Sequence, residues 1–465
     1  MEQPFDERRF LERYWHFSMP DTILKTDRTI FTHARGCELF NQFNRRWLDF
    51  CAQVGIANIG HHHPFFVRAW FEYMRMIFEE ICLYDRPAPV WTMIASDFHF
   101  RFEIKVEGET LEISHGALEE MLSRHTFGPS TKFIKGLSGA DSNSDSVKFV
   151  QKLTHKPYGI AFYGAFHGRL GSALDATMSK AVQREGFFIP SITHHLLFPQ
   201  THEEFDYDLQ ILNYLPLSDY GFVMYEAVQG EGGINPAHYY TIELLKCLRE
   251  KGLLLVCDDV QTGFGRTGMW FGYQNLGVVP DIVTISKSMG SGDPIGAAFF
   301  DGANPRLAGW EKFEPGWDSS TFQWNPHAVL SAIATIRAIE RENLVERARL
   351  MGNYLERAID YALVKSFPDG DLSVGGYCKH KGIGLHRGLE FRKKFSDGRD
   401  VPDPKTRDAV LALLFENGIV TLGAGNRDVN PTIRFMPPLV VTEKEIDEFL
   451  HALESALVHT RHSTK

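Results

Sequence analysis

Six short apolar runs recur between residues 132 and 300, with longer amphipathic stretches between them. The runs lie at 132–137, 159–163, 221–225, 253–257, 282–285 and 295–300. Such alternation is the pattern of an α/β fold: a mostly parallel central sheet flanked by helices. Helices are expected at 144–153 and 240–251. A third is expected over 326–349, where Val329, Ala332, Ile333, Ile336 and Ile339 recur at helical spacing. A chain of 465 residues exceeds the usual size of one core, so a second, smaller domain is expected. From about Met351 the runs shorten, with strand-like stretches at 418–422 and 432–435. A last helix begins at Thr442, with Glu445 placed for a capping box. The expected division is 1–64 as an N-terminal segment packing with the small domain, 65–350 as the large α/β domain, and 351–465 as a small α+β domain.

Open α/β sheets gather ligands at the carboxyl ends of their parallel strands, so the residues just after each run carry the argument. Ser138 and Gly139 follow the first run, and Phe166, His167 and Gly168 the second. Glu226, Asp258 and Lys287 follow three others. A lysine at the end of a buried strand can be desolvated and form a Schiff base with an aldehyde. A carboxylate at a neighbouring strand end can keep a pyridine nitrogen protonated, turning that ring into an electron sink. A glycine-containing turn entering a helix offers backbone N–H groups to a phosphate, and an aromatic ring stacks on a flat heterocycle. Together these groups describe a pyridoxal 5′-phosphate (PLP) site.

The run DDVQTGFGRTG at 258–268 resembles the DEVQTGFGRTG signature of the class III aminotransferases, within fold type I. PDIVTISKSMGSGDPIGA at 280–297 is similar to the segment that carries their PLP lysine. EAVQGEGG (226–233), GAFHGR (164–169), SGADSNSDSVK (138–148), STFQWNP (320–326), IRFMPPL (433–439) and GHHHP (60–64) extend the match. They cover most of the chain, in family order. The resemblance implies a ping-pong aminotransferase that moves an amino group from a carboxylate-bearing amine to a 2-oxo acid. It also implies PLP bound on a fold type I scaffold, with the small domain built from both chain ends.

Residue by residue, the resemblance implies that Lys287 forms the Schiff base and shuttles the proton. Asp258 pairs with the pyridinium nitrogen, and Gln261 lies near the ring hydroxyl. Phe166 stacks on one ring face and Val260 packs behind the other. The backbone at Gly139 and Ala140, next to Ser138, holds the phosphate; Thr321 holds it from the neighbouring subunit, so a homodimer is implied. His167 and Glu226 complete the strand-end set as cofactor contacts. Arg434 binds a substrate carboxylate in a two-pronged pair, and Glu231 covers that arginine when an amine end enters.

Three departures and two decoys qualify this reading. SGADSNS stands where the family has SGTEANE, so a threonine hydroxyl contact is lost at Ala140. Gln323 and Trp324 replace small glycines, and are expected to narrow the partner's substrate entrance. The chain is longer than usual between Pro89 and Ser138; an insert near 98–130 contains a β-hairpin turning at Glu107-Gly108, expected to cap the site or extend the dimer surface. Gly263, Gly265 and Gly268 fit a dinucleotide fingerprint, but no amphipathic helix opens on them, so a turn-forming loop is expected. His61, His62 and His63 cannot all face one ion, and no metal is expected.

A net charge of −10 argues against nucleic acid or an anionic membrane surface as partner. The six cysteines are scattered without a CxxC pair, the N-terminal run MEQPFDERRFLERYW lacks a signal peptide's apolar stretch, and no run is long enough to span a bilayer. A reduced, cytoplasmic compartment is expected. A PLP-dependent racemase, epimerase or aminomutase would use the same lysine and electron sink, and strand-end residues alone do not separate it from a transaminase.

Overall fold

The computed structural model describes Thr29 and residues 31–76, 100–186, 191–366, 376–395 and 397–463. Its large sheet has seven strands: β1 (Thr131–Gly136), β2 (Tyr158–Phe162), β3 (Thr193–Leu196), β4 (Tyr220–Glu226), β5 (Leu254–Asp258), β6 (Ile282–Ile285) and β7 (Gly296–Asp301). Their order across the sheet is β1-β7-β6-β5-β4-β2-β3. Only β7 runs antiparallel to its neighbours. Every residue of β4, β5 and β6 is buried. That is why these segments read as unbroken apolar runs: helices cover both faces of a parallel sheet. All six expected strands are present within a residue or so of their expected bounds, and the short edge strand β3 is the one the apolar pattern did not indicate.

The helix after β1, α1 (Gly139–Thr154), starts five residues before the apolar pattern begins. Its first turn is polar, and Ser138 caps it by accepting from the Asp141 N–H at 3.2 Å. The helix α2 (Tyr239–Glu250) falls where expected. The expected helix over 326–349 is instead two, α3 (Pro326–Arg341) and α4 (Leu344–Ser366). Asn343 between them has φ +49°, a left-handed conformation that asparagine tolerates and that ends a helix. The apolar period runs on past the break, so periodicity alone could not reveal it.

Both chain ends build the smaller part. Strands Phe31–Arg35, Glu38–Asn41 and Arg46–Asp49 form a sheet completed by Ile419–Val420 from the far end of the chain. A second, antiparallel sheet is built from Gly376–Ile383, His386–Lys394, Asp400–Pro402, Leu422–Ala424 and Thr432–Phe435. The single run expected at 418–422 is thus shared between two sheets, parting at Thr421, whose hydroxyl donates to the Arg434 carbonyl. The last helix, α5 (Glu443–Ser463), carries the expected box: the Thr442 N–H donates to Glu445 Oε2 at 2.8 Å, and the Glu445 N–H to Thr442 Oγ1 at 3.3 Å.

The hairpin of the insert is also present, as Arg101–Val106 paired with Glu109–Ser114. Glu107 and Gly108 both have positive φ, the requirement of a tight two-residue hairpin turn. It packs on helix Pro64–Met76 and on α3, tied by Arg337 and Arg341 to Glu109. Residues 77–99, including part of the extra length, lie outside the described residues.

Candidate active site

A cavity of about 440 Å³ opens at the carboxyl ends of β1, β2, β4, β5 and β6. Ser138, Gly139, Ala140, Phe166, His167, Glu226, Asp258, Val260, Gln261, Lys287 and Glu231 all line it. Glu226 and Asp258 are the last residues of the fully buried strands β4 and β5, and Lys287 stands two residues past β6, where the chain leaves the sheet edge.

Asp258 is held from three sides. Its Oδ2 accepts from Asn143 Nδ2 at 2.7 Å and from His167 Nδ1 at 2.8 Å, and its Oδ1 accepts from the Val260 N–H at 3.0 Å. Asn143 is itself fixed, its Oδ1 accepting from Thr284 Oγ1 at 2.6 Å. The carboxylate is therefore oriented before anything binds. Asn143 was not singled out from the sequence. The available signal was a polar residue four after Gly139, on the helix face that Ser146, Val147 and Val150 bury.

Lys287 follows β6 with φ +44°, a strained left-handed conformation for a residue with a side chain. Burial pushes its ammonium below the usual lysine range; Asp258 opposes that and Arg434 adds to it. A lysine so placed spends more time as the neutral, nucleophilic amine.

Glu226 is buried and pushed up to about 7, chiefly by desolvation. Both of its oxygens are engaged by backbone N–H groups, that of Phe166 at 3.0 Å and that of Gly230 at 2.9 Å. Although it lines the cavity, its visible work is to fix the Phe166 turn and the Gly230 loop. Gln261 has a buried Oε1 with no hydrogen-bond partner among the described residues, a costly state unless a ligand donor reaches it. Gly139 comes so near Val260 that a Cβ would lie 2.7 Å from its Cγ1. Only glycine lets the helix start approach the slot that Val260 walls.

On the far side, Arg434 Nη1 lies 2.9 Å from Glu231 Oε1, and Lys180 Nζ donates to Glu231 Oε2 at 2.6 Å. Burial raises the Glu231 carboxyl, but Arg434 and Lys180 outweigh it and hold the group at about 2. Arg434 is buried but does not line the cavity itself. Lys180 is a second residue the sequence reading did not identify; only folding brings it to Glu231, across 51 residues of chain.

Thr321 is exposed and does not line this chain's own cavity. Beside it Phe322 is 69% exposed. Gln323 and Trp324 correct the expectation of a narrowed entrance: both are buried in their own chain. The indole Nε1 of Trp324 donates to the Gly296 carbonyl at 2.8 Å, so its bulk fills the interior beneath the loop. No residue of the hairpin lines the cavity. The glycines at 263, 265 and 268 lie in a turn-rich loop, with Gly265 and Gly268 at positive φ. His61 and His63 face separate carboxylates, Asp49 at 2.7 Å and Glu342 at 2.8 Å.

A profile of the family Aminotransferase class-III matches residues 106–457. The acetylornithine aminotransferase of Thermosynechococcus vestitus is 31% identical over 440 residues, covering 92% of each chain. That of Archaeoglobus fulgidus is 30% identical over 430 residues, covering 92% of this chain and 96% of its own. Among solved structures, a transaminase from the marine bacterium Virgibacillus superposes with a TM-score of 0.78 at 21% identity, covering 98% of this chain and 100% of the other. The ornithine aminotransferase of Toxoplasma gondii, crystallised with partial occupancy of PLP at its active site, gives 0.75 at 19% identity, covering 99% and 96%.

Proposed function

The chain belongs to the class III aminotransferases, and from that premise we propose how its own residues divide the work. It is a PLP-dependent transaminase on a fold type I scaffold. The residues present fit the cofactor: a desolvated lysine, a carboxylate fixed by three donors, an orphaned Gln261 oxygen and a glycine-lined helix start all face one cavity. When bound, pyridoxal phosphate supplies the electron sink that stabilises negative charge at the substrate carbon bearing the amine.

Lys287 holds the cofactor and then moves the proton at that carbon with its Nζ, a task suited to an amine whose charged form is disfavoured. Asp258 keeps the ring nitrogen protonated, with Asn143 and His167 orienting it. Phe166 and Val260 would hold the ring, and Gln261, whose Oε1 has no partner among the described residues, would meet the ring hydroxyl. Backbone N–H groups at Gly139 and Ala140 bind the phosphate at the start of α1, where the helix dipole favours an anion. Arg434 binds the carboxylate of the incoming acid once Glu231 withdraws.

The exposed loop at Thr321 and Phe322 supports a homodimer in which Thr321 reaches the partner's phosphate site. Free cysteines at 37, 51, 247, 257 and 378 support a reduced, cytoplasmic compartment. Among the described residues, no helix is long and apolar enough to cross a membrane. The donor is a carboxylate-bearing amine, and N-acetylornithine heads the test panel because two relatives carry that name.

The observation that carries this reading is Lys287 buried beside a fully oriented Asp258. Spectra of wild type and Lys287→Ala, recorded with a panel of amines and 2-oxoglutarate, test it. A lysine-dependent cofactor band that one donor bleaches, with glutamate formed on adding the acid, is the expected result. No glutamate but scrambled stereochemistry would point to a racemase or aminomutase, and no band would remove the site assignment.

A further inference from the structure

The Glu231 carboxylate has two cations, and only one of them belongs to the proposed substrate site. Arg434 Nη1 meets Oε1 at 2.9 Å from within the small domain's sheet, while Lys180 Nζ meets Oε2 at 2.6 Å from the loop after the helix Gly171–Ala176. The Glu231 side chain is 17% exposed and that of Lys180 34%, so the bridge is mostly buried rather than in open solvent.

For a 2-oxo acid to reach Arg434, Glu231 must surrender that arginine. A carboxylate left behind in a mostly buried place without a counter-charge is costly, and that cost would be charged against acid binding. With Lys180 already on the other oxygen, Glu231 keeps one ion pair after it leaves Arg434. We propose that Lys180 is a positioning residue for the acid-binding half of the reaction, holding Glu231 paired while Arg434 passes to the substrate carboxylate.

The proposal rests on the assignment of Arg434 to substrate. It differs from two simpler accounts. An exposed ion pair is worth little and would leave acid binding unmoved. A lysine that touched the acid directly would act whether or not Glu231 carried a charge. Lys180 acting through Glu231 requires its effect to vanish when Glu231 is neutral.

That requirement defines the experiment. 2-Oxoglutarate cannot react with holoenzyme in its pyridoxal form, so its dissociation constant is measured directly by calorimetry. The proteins are wild type, Lys180→Met, Lys180→Arg, Glu231→Gln, the Lys180→Met/Glu231→Gln double variant and Arg434→Ala. Lys180→Met is expected to weaken binding about tenfold, the scale of a typical coupling between two sites, and Lys180→Arg to stay within about twofold of wild type. In the Glu231→Gln background the same lysine change is expected to alter binding less than about twofold. Equal losses in both backgrounds would overturn the proposal in favour of direct contact, and no loss in either would reduce Lys180 to a surface pair. If Arg434→Ala alone leaves binding unchanged, the substrate assignment of Arg434 falls and takes this proposal with it. A large Arg434→Ala loss beside an inert Lys180→Met overturns the proposal only.

Discussion

His167 Nδ1 and Asp258 Oδ2 lie 2.8 Å apart, both side chains shut away from solvent. The ring N–H points at the carboxylate, and Asn143 donates to the same oxygen. The aspartate is thus fixed by two buried neighbours that meet the same carboxylate oxygen. In the proposed role of Asp258, replacing it by Asn removes the charge that would keep the cofactor nitrogen protonated. The donor-driven half-reaction should slow by about 10²- to 10⁴-fold in single-turnover spectra, as for loss of a proton-holding group. His167→Ala loosens the aspartate without discharging it, and should cost about tenfold to a hundredfold. A His167→Ala loss as deep as that of Asp258→Asn would mean the histidine does more than orient.

Lys287 gives a pH-dependent prediction. Burial lowers its folded-state pKa, against the pull of Asp258 and with the help of Arg434. Between that depressed value and the ordinary lysine value of about 10.4, the unfolded chain binds the proton that the folded protein has lost. Stability therefore rises with pH across this window, and the penalty of the buried ammonium is complete below it. In cofactor-free protein, Lys287→Met should be more stable than wild type by about 1 kcal/mol at the acid end, the usual gain on relieving a functional site. The gap should close toward pH ~10.4 in urea melts. A gap that widens with pH would contradict a buried, charge-disfavoured lysine.

These two side chains were legible because each follows a run whose every residue is buried. Asp258 closes the buried strand Leu254–Asp258, and Lys287 stands two residues beyond the buried strand Ile282–Ile285, where the chain turns out at the ligand edge. Asn143 carried no comparable signal, since it stands just past the first turn of α1 in a run of small polar residues, 141–146, that look alike in sequence. Lys180 and Glu231 meet only through the fold. Asn343 interrupts a continuous apolar period, and what ends the helix is a local backbone conformation that no pattern of side chains records. Trp324 was misjudged for a different reason. Sequence gives the bulk of a loop residue but not the side of the loop on which there is room for it.

That room is made by the insert. The helix His115–Ser123 follows the hairpin directly, and His115 Nε2 donates to the Trp324 carbonyl at 2.9 Å. Its Nδ1 accepts from Lys135 Nζ at 3.1 Å, while the same ammonium lies 5.2 Å from the centre of the Trp324 ring. Hairpin, helix and indole therefore form one support beneath the loop that presents Thr321. His115→Ala strands a buried carbonyl and should lower stability by about 1–3 kcal/mol in thermal melts. If Thr321 serves the partner's phosphate site, the same variant should also release pyridoxal phosphate faster. Glu109→Gln, which loosens only the half-exposed arginine pairs on the outer edge of the hairpin, should change neither quantity much. Cofactor release that is unchanged in His115→Ala, despite the lost stability, would confine the insert to a structural role and separate it from the active site.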